Sequence, residues 1–177
     1  MEYRFVAPDL RRWDTLKMEA VALGLFEDDR PPHDALGLLD WRLCGYLSEQ
    51  LAAGRVDGHR GERWLVPCRG RVPVEKLFVF GLGRRAAFDE RVYREVLEDL
   101  LDTLAKARVR TALVALPGRA GGLISAEAAM DVLLELTRGA SEHDELILIE
   151  EPEAQKEMER RIQQERRRVR ASDQPEI

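Results

Sequence analysis

The stretch Pro117-Gly118-Arg119-Ala120-Gly121-Gly122-Leu123-Ile124-Ser125 carries the clearest chemical signal in this chain. It follows a short apolar run, Thr111–Leu116, and precedes a helical pattern for which Ser125 can serve as N-cap. Glycines let a backbone approach a ligand closely, and a helix start presents free N–H groups at the positive end of its dipole. Such a loop can hold a phosphate or a carboxylate, with Arg119 as its ion-pair partner. It lacks the Gly-Lys-Ser/Thr ending of a nucleotide-triphosphatase loop. The plain alternative is a permissive turn with no ligand.

A second glycine pattern, Gly81-Leu82-Gly83-Arg84-Arg85-Ala86, fits G-x-G-x-x-A in its loosest form. The next helix begins near Asp89, too late for the third small residue to sit at its start. Gly81 and Gly83 therefore read as a strand-end turn. His33, His59 and His143 stand apart in the sequence, and Cys44 and Cys68 fit no zinc spacing. The two cysteines are expected to be buried free thiols. No G-x-S-x-G elbow occurs. No catalytic set, metal site or cofactor is expected. Glu95, Glu98, Asp99 and Asp102 read as the solvated side of a helix.

The elements around these stretches follow from periodicity. Strands are expected at Glu2–Ala7, Leu16–Phe26, Arg63–Cys68, Lys76–Leu82, Thr111–Leu116 and Glu145–Ile149. Pro67 marks an edge strand or a strand end. One amphipathic helix is expected from an Asp34 N-cap to Gly54, carried by Leu36, Leu39, Leu43, Leu47 and Leu51. Another opens at Asp89 with Val92, Val96, Leu100 and Leu104, and a third follows Ser125 with Met130, Leu133, Leu134 and Thr137. Later strands and helices alternate, which predicts an α/β fold with a mostly parallel sheet between helices. The early strands can add antiparallel edges.

From Pro152 the chain becomes a charged helix former with Met158, Ile162 and Val169 as its apolar seam. The seam can pack on the domain or pair with a partner helix. Arg160, Arg161, Arg166, Arg167 and Arg168 alternate with Glu157, Glu159 and Glu165, which suits intrahelical ion pairs. A nucleic-acid patch is the alternative, although the net charge of −5 argues against a surface made mainly for it. Residues 1–150 thus form one domain, 151–171 a charged helix available for partner or oligomer contact, and 172–177 a frayed tail. Hydrophobic residues make up 45% of the chain, enough for a core. No leader pattern and no apolar run of roughly 20 residues is present, so a soluble cytoplasmic protein without membrane contact is expected.

The strand ending in VALGLFE from Val21, the helix closing in a Gly-rich turn before Gly61-Glu62, and KLFVFGLG from Lys76 before a long helix together resemble the N-terminal domain of the cytosolic leucine aminopeptidase family. The resemblance runs from about Glu19 to Glu150. It implies a macro-domain-like fold, a mixed sheet between helices. It also makes the Gly118–Ser125 loop look like the phosphate-binding loop of ADP-ribose-binding macro domains. The family's active site, with two metal ions, a Lys, several carboxylates and an N-T-D-A-E-G-R-type motif, lies in a C-terminal domain that this sequence does not contain. The resemblance therefore implies the non-catalytic domain occurring without the catalytic one. In that family the domain supports oligomer contacts, and in some bacterial members it helps bind DNA. Three functions follow as expectations: a protein-interaction or regulatory module, macro-type binding of ADP-ribose or another phosphate ligand at residues 118–125, or nucleic-acid binding through the late arginines. A separately encoded catalytic chain is a further partner to consider.

Overall fold

Alternation along one strand sets the layers. In Ala20–Phe26, Ala20 and Ala22 enter one core while Val21, Leu23 and Leu25 enter the other, as the two-residue period of a strand requires. The computed structural model describes residues 1–68, 70–139 and 142–172. The elements are β1 (Glu2–Val6), α1 (Leu10–Trp13), β2 (Ala20–Phe26), α2 (Asp34–Arg42), α3 (Tyr46–Ala52), β3 (Arg63–Val66), β4 (Lys76–Gly83), α4 (Glu90–Lys106), β5 (Thr111–Val114), α5 (Ala126–Leu136), β6 (Glu145–Ile149) and α6 (Pro152–Ser172). A single 3-10 turn covers Arg85–Ala87.

The six strands form one sheet in the order β1-β6-β5-β2-β4-β3. Every pairing is parallel except β3 with β4. Helices α4, α5 and α6 cover one face, and α1, α2 and α3 the other. The mostly parallel α/β sheet between helices is therefore present. Of the early strands, β3 supplies the antiparallel edge, whereas β1 is an edge but parallel and β2 lies inside the sheet. Pro67 directly follows β3, where its missing N–H costs no ladder bond.

The helix expected from Asp34 to Gly54 is two helices. Cys44 and Gly45 take positive φ angles of 58° and 77°, which ends α2 and redirects the chain. Asp40 makes the break stable. Its buried carboxylate accepts from Leu47 N at 2.7 Å, Ser48 N at 3.2 Å and Ser48 Oγ at 2.5 Å. It thereby satisfies the first N–H groups of α3 from seven residues away. The capping position of α2 is His33, not Asp34, which sits inside the first turn with φ 53°. β2 also starts four residues later than the apolar pattern suggested, because Trp13, Leu16 and Met18 pack under the sheet from α1 and its exit.

The thiols are free but not buried: Cys44 is exposed beside Arg71 Nη1, and Cys68 is half-buried. The backbone turn that ends α2 pushes Cys44 outward. α6 lies on its own domain. Met158 and Ile162 are 0% and 7% exposed within the same core as α5, and Arg161 holds Asp131 of α5 with Nε at 2.8 Å from Oδ1. Met158 and Ile162 of the apolar seam are thus consumed inside the chain and offer nothing to a partner. Val169, Arg166, Arg167 and Arg168 remain exposed. The tail beyond Ser172 lies outside the described residues. Among those described, no helix is long and apolar enough to cross a membrane.

Candidate functional site

β2 and β5 are neighbours in the sheet, yet the chain leaves them toward opposite faces, to α2 and to α5. Parallel strands whose exits diverge leave a crevice at their C-terminal ends. The Gly118–Ser125 loop closes one side of it, and residues 26–35 close the other.

The loop itself is internally satisfied. Gly118 takes φ 73°, and a Cβ there would lie 2.4 Å from Phe88 Cε1, so the glycine is needed for close packing on that ring. Arg119 does not point at the crevice as a free cation. Its Nε and Nη2 hold Glu150 Oε1 and Oε2 at 3.0 and 3.1 Å, and its Nη1 donates to Ile124 O at 2.6 Å. The two side chains are 13% and 6% exposed. Gly122 N donates to Arg119 O, and Leu123 N to Gly118 O. Ser125 Oγ accepts from Ala128 N and caps α5. The expectation that Arg119 pairs with a bound anion gives way to a fork-to-fork pair with Glu150, which pins the loop to the end of β6. Burial, more than anything else, pushes the Glu150 carboxyl up, and Arg119 pulls it back.

The crevice holds a cluster that sequence reading passed over. Arg85 Nε meets Asp29 Oδ1 at 2.9 Å, its guanidinium lies 4.5 Å over the Phe26 ring, and its backbone N donates to Asp28. His33 Nε2 lies 3.3 Å from the same Asp29 oxygen and its Nδ1 3.2 Å from Asp34. Arg85 Nη1 stands 2.5 Å from where a Cβ on Gly121 would be. The arginine thus fills the space beside the loop glycines, and the remaining cavity is 60 Å³. That is far below the roughly 300 Å³ at the lower end of small-molecule sites. The available signal was the acidic run Glu27-Asp28-Asp29 that follows the buried strand end. A separate cavity of 410 Å³ opens on the other side of the loop, against α2, β6 and Pro8.

Gly81 and Gly83 are a packing feature. A Cβ on Gly81 would lie 1.9 Å from His59 O, and Gly83 N donates to Gly58 O at 2.9 Å. They admit the 57–62 turn against β4. Asp57, His59 and Glu62 come within 4.8 Å of one another in that turn. Glu62 Oε2 accepts from Gly58 N at 2.7 Å and His59 Nδ1 sits 2.5 Å from Asp57, so these groups fold the turn. Hydrogen bonding to Asp57 holds the His59 pKa up.

Residues 22–146 match the family model described as the cytosol aminopeptidase family, N-terminal domain. A probable cytosol aminopeptidase of Alkaliphilus metalliredigens is 31% identical over 96 residues, covering 54% of this chain and 19% of that protein. The chain thus spans about a fifth of the length of this curated relative. Among solved structures, a tomato leucine aminopeptidase mutant superposes with a TM-score of 0.63 at 16% identity, over 90% of this chain and 35% of that one. A Trypanosoma brucei macrodomain in complex with ADP-ribose reaches 0.69 at 14% identity, over 91% and 69%. These likenesses give the macrodomain-like fold. With its strands, its glycine turn at the end of β4 and its matched span in agreement, the chain belongs to the cytosol aminopeptidase family through that family's N-terminal domain.

Proposed function

We propose that this chain acts as a non-catalytic interaction or regulatory module, not as a ligand-processing macro domain. The observation that carries the reading is the occupied crevice: Arg85 stands beside the loop glycines on Asp29, and Arg119 is spent on Glu150. A phosphate arriving there finds both guanidiniums already paired with carboxylates and little space. The outer surface offers a contact instead. Trp41 on α2 is 76% exposed and Leu65 on β3 is 60% exposed. An exposed tryptophan of this kind suits protein contact. Calorimetry with ADP-ribose, ADP and sulfate should give no heat at millimolar ligand. Sedimentation should show an associated species that Trp41→Ser reduces. Micromolar ADP-ribose binding that Gly122→Glu abolishes would overturn the proposal.

That last outcome is the second reading, macro-type binding of ADP-ribose or another phosphate at residues 118–125. It is favoured by the loop standing at the capped start of α5, and it requires the Arg85 side chain to yield the space it fills beside Gly121. The third, nucleic-acid binding through Arg166–Arg168, predicts a salt-dependent mobility shift that weakens when those arginines are replaced.

A further inference from the structure

The 410 Å³ cavity beside the loop has an apolar wall, including Pro8, Leu38, Ala115 and Ile149, and a charged rim of Asp34, Arg119, Glu150 and Glu151. Three carboxylates against one guanidinium leave that rim a formal charge of −2. Arg119 is fully engaged by Glu150, with both N–O distances near 3 Å, so it has no fork left for an incoming anion. Glu151 is exposed at the mouth, and its charge adds to the burial that already works against ionisation of Glu150. A cation arriving at the rim relieves that repulsion, whereas a phosphate adds to it. The volume falls within the range of small organic ligands. The apolar wall suits a hydrocarbon body and would leave a bare metal ion short of the six to eight oxygens it prefers.

We propose that this cavity binds a small primary amine with a compact apolar body, its ammonium at the exposed Glu151 carboxylate and its hydrocarbon against Leu38, Ala115 and Ile149. The site is separate from the crevice that Arg85 fills, although both border Ala120 and Asp34. Its chemistry is the opposite of a nucleotide site.

The test is a titration of the full isotope-labelled chain, followed by amide chemical shifts, with cyclohexylamine as probe. Cyclohexanecarboxylate and cyclohexanol serve as isosteric anionic and neutral controls, and calcium chloride as the metal control. The amine should shift the amides of Ala35, Ala115 and Glu151 and saturate. Cyclohexanecarboxylate should bind at least about tenfold more weakly, since a charge-assisted contact is worth roughly 1.5–3 kcal/mol and 1.4 kcal/mol is tenfold. Glu151→Gln should weaken the amine by about the same factor. Ala120→Phe, at an exposed position on the cavity wall, should abolish binding by filling the space. Equal shifts from amine and carboxylate would overturn the proposal. So would calcium reproducing the shifts while the amine does not. If Ala120→Phe fails to fold, Glu151→Gln decides alone: an unchanged amine titration in that variant rejects the site.

Discussion

Arg119→Met removes the guanidinium that pins the glycine loop while keeping most of its length. In the native chain two hydrogen bonds join Arg119 to Glu150 and a third joins it to Ile124 O, with both side chains largely out of water. Breaking a buried pair from one side leaves an uncompensated charge and costs about 3–5 kcal/mol. With a urea slope of about 2 kcal/mol per molar, the unfolding midpoint at pH 7 should fall by about 2 M. The pH dependence gives the sharper check. Burial already raises the Glu150 pKa above its ordinary 4.5, and Arg119 opposes the rise. In the variant that opposition is gone, so the folded-state pKa climbs further. A carboxyl whose folded pKa exceeds its unfolded value holds its proton more tightly when folded. Stability therefore falls as pH rises from about 4.5 through the raised value, and the deficit shrinks toward pH 4.5. The double variant Arg119→Met/Glu150→Gln should recover most of the loss. Urea melts of the wild type and both variants at pH 5 and pH 7, followed by tryptophan fluorescence, measure all of this. A single variant less than about 1 kcal/mol below wild type, against the 3–5 expected, or a double variant no better than the single, would refute the claim that the pair pins the loop.

Other outcomes follow from the same geometry. Gly81→Ala should prevent folding, because its Cβ meets the His59 carbonyl of the backbone, whereas Gly24→Ala should be milder because it meets only the movable Leu82 side chain; circular dichroism of the two purified variants ranks them. Met158→Ala should cost about 2–5 kcal/mol in a denaturant melt, the usual range for a fully buried methionine, and truncation after Glu151 should destabilise the whole domain. Asp40→Ala should cost about 1–2 kcal/mol as a lost helix cap and speed amide exchange at Leu47 and Ser48. With Ellman's reagent, Cys44 should react first and Cys68 slowly, since Cys68 is half-buried and burial raises its thiol pKa.

Much of the fold was written locally. Asp89 and Ser125 each precede an amphipathic pattern, and both cap their helices through their own side chains. β6 coincides with its apolar run, Glu145–Ile149. These elements depend on neighbours within a few residues, so periodicity and capping chemistry suffice. The GLG turn at the end of β4 was legible as a need for small residues, and the Gly118–Ser125 stretch as a loop feeding a helix. The reasons for those glycines were not. His59 and Phe88, the groups that exclude a side chain at Gly81 and Gly118, are distant in sequence.

What only the tertiary structure decided is what the polar groups do. Arg119 reads as an anion receptor until β6 brings Glu150 to it, 31 residues later. Arg85 reads as a turn residue until the sheet order sets β4 beside β2 and delivers Asp29 from 56 residues away. Met158 and Ile162 read as a seam for either the domain or a partner helix until α5 covers them. A sequence states which charges and apolar stripes exist, and their local spacing sets helices and strands. Which charge neutralises which depends on strand order and on which face each crossover takes. Those are set by burying two cores at once, a property of the whole chain that no local window contains.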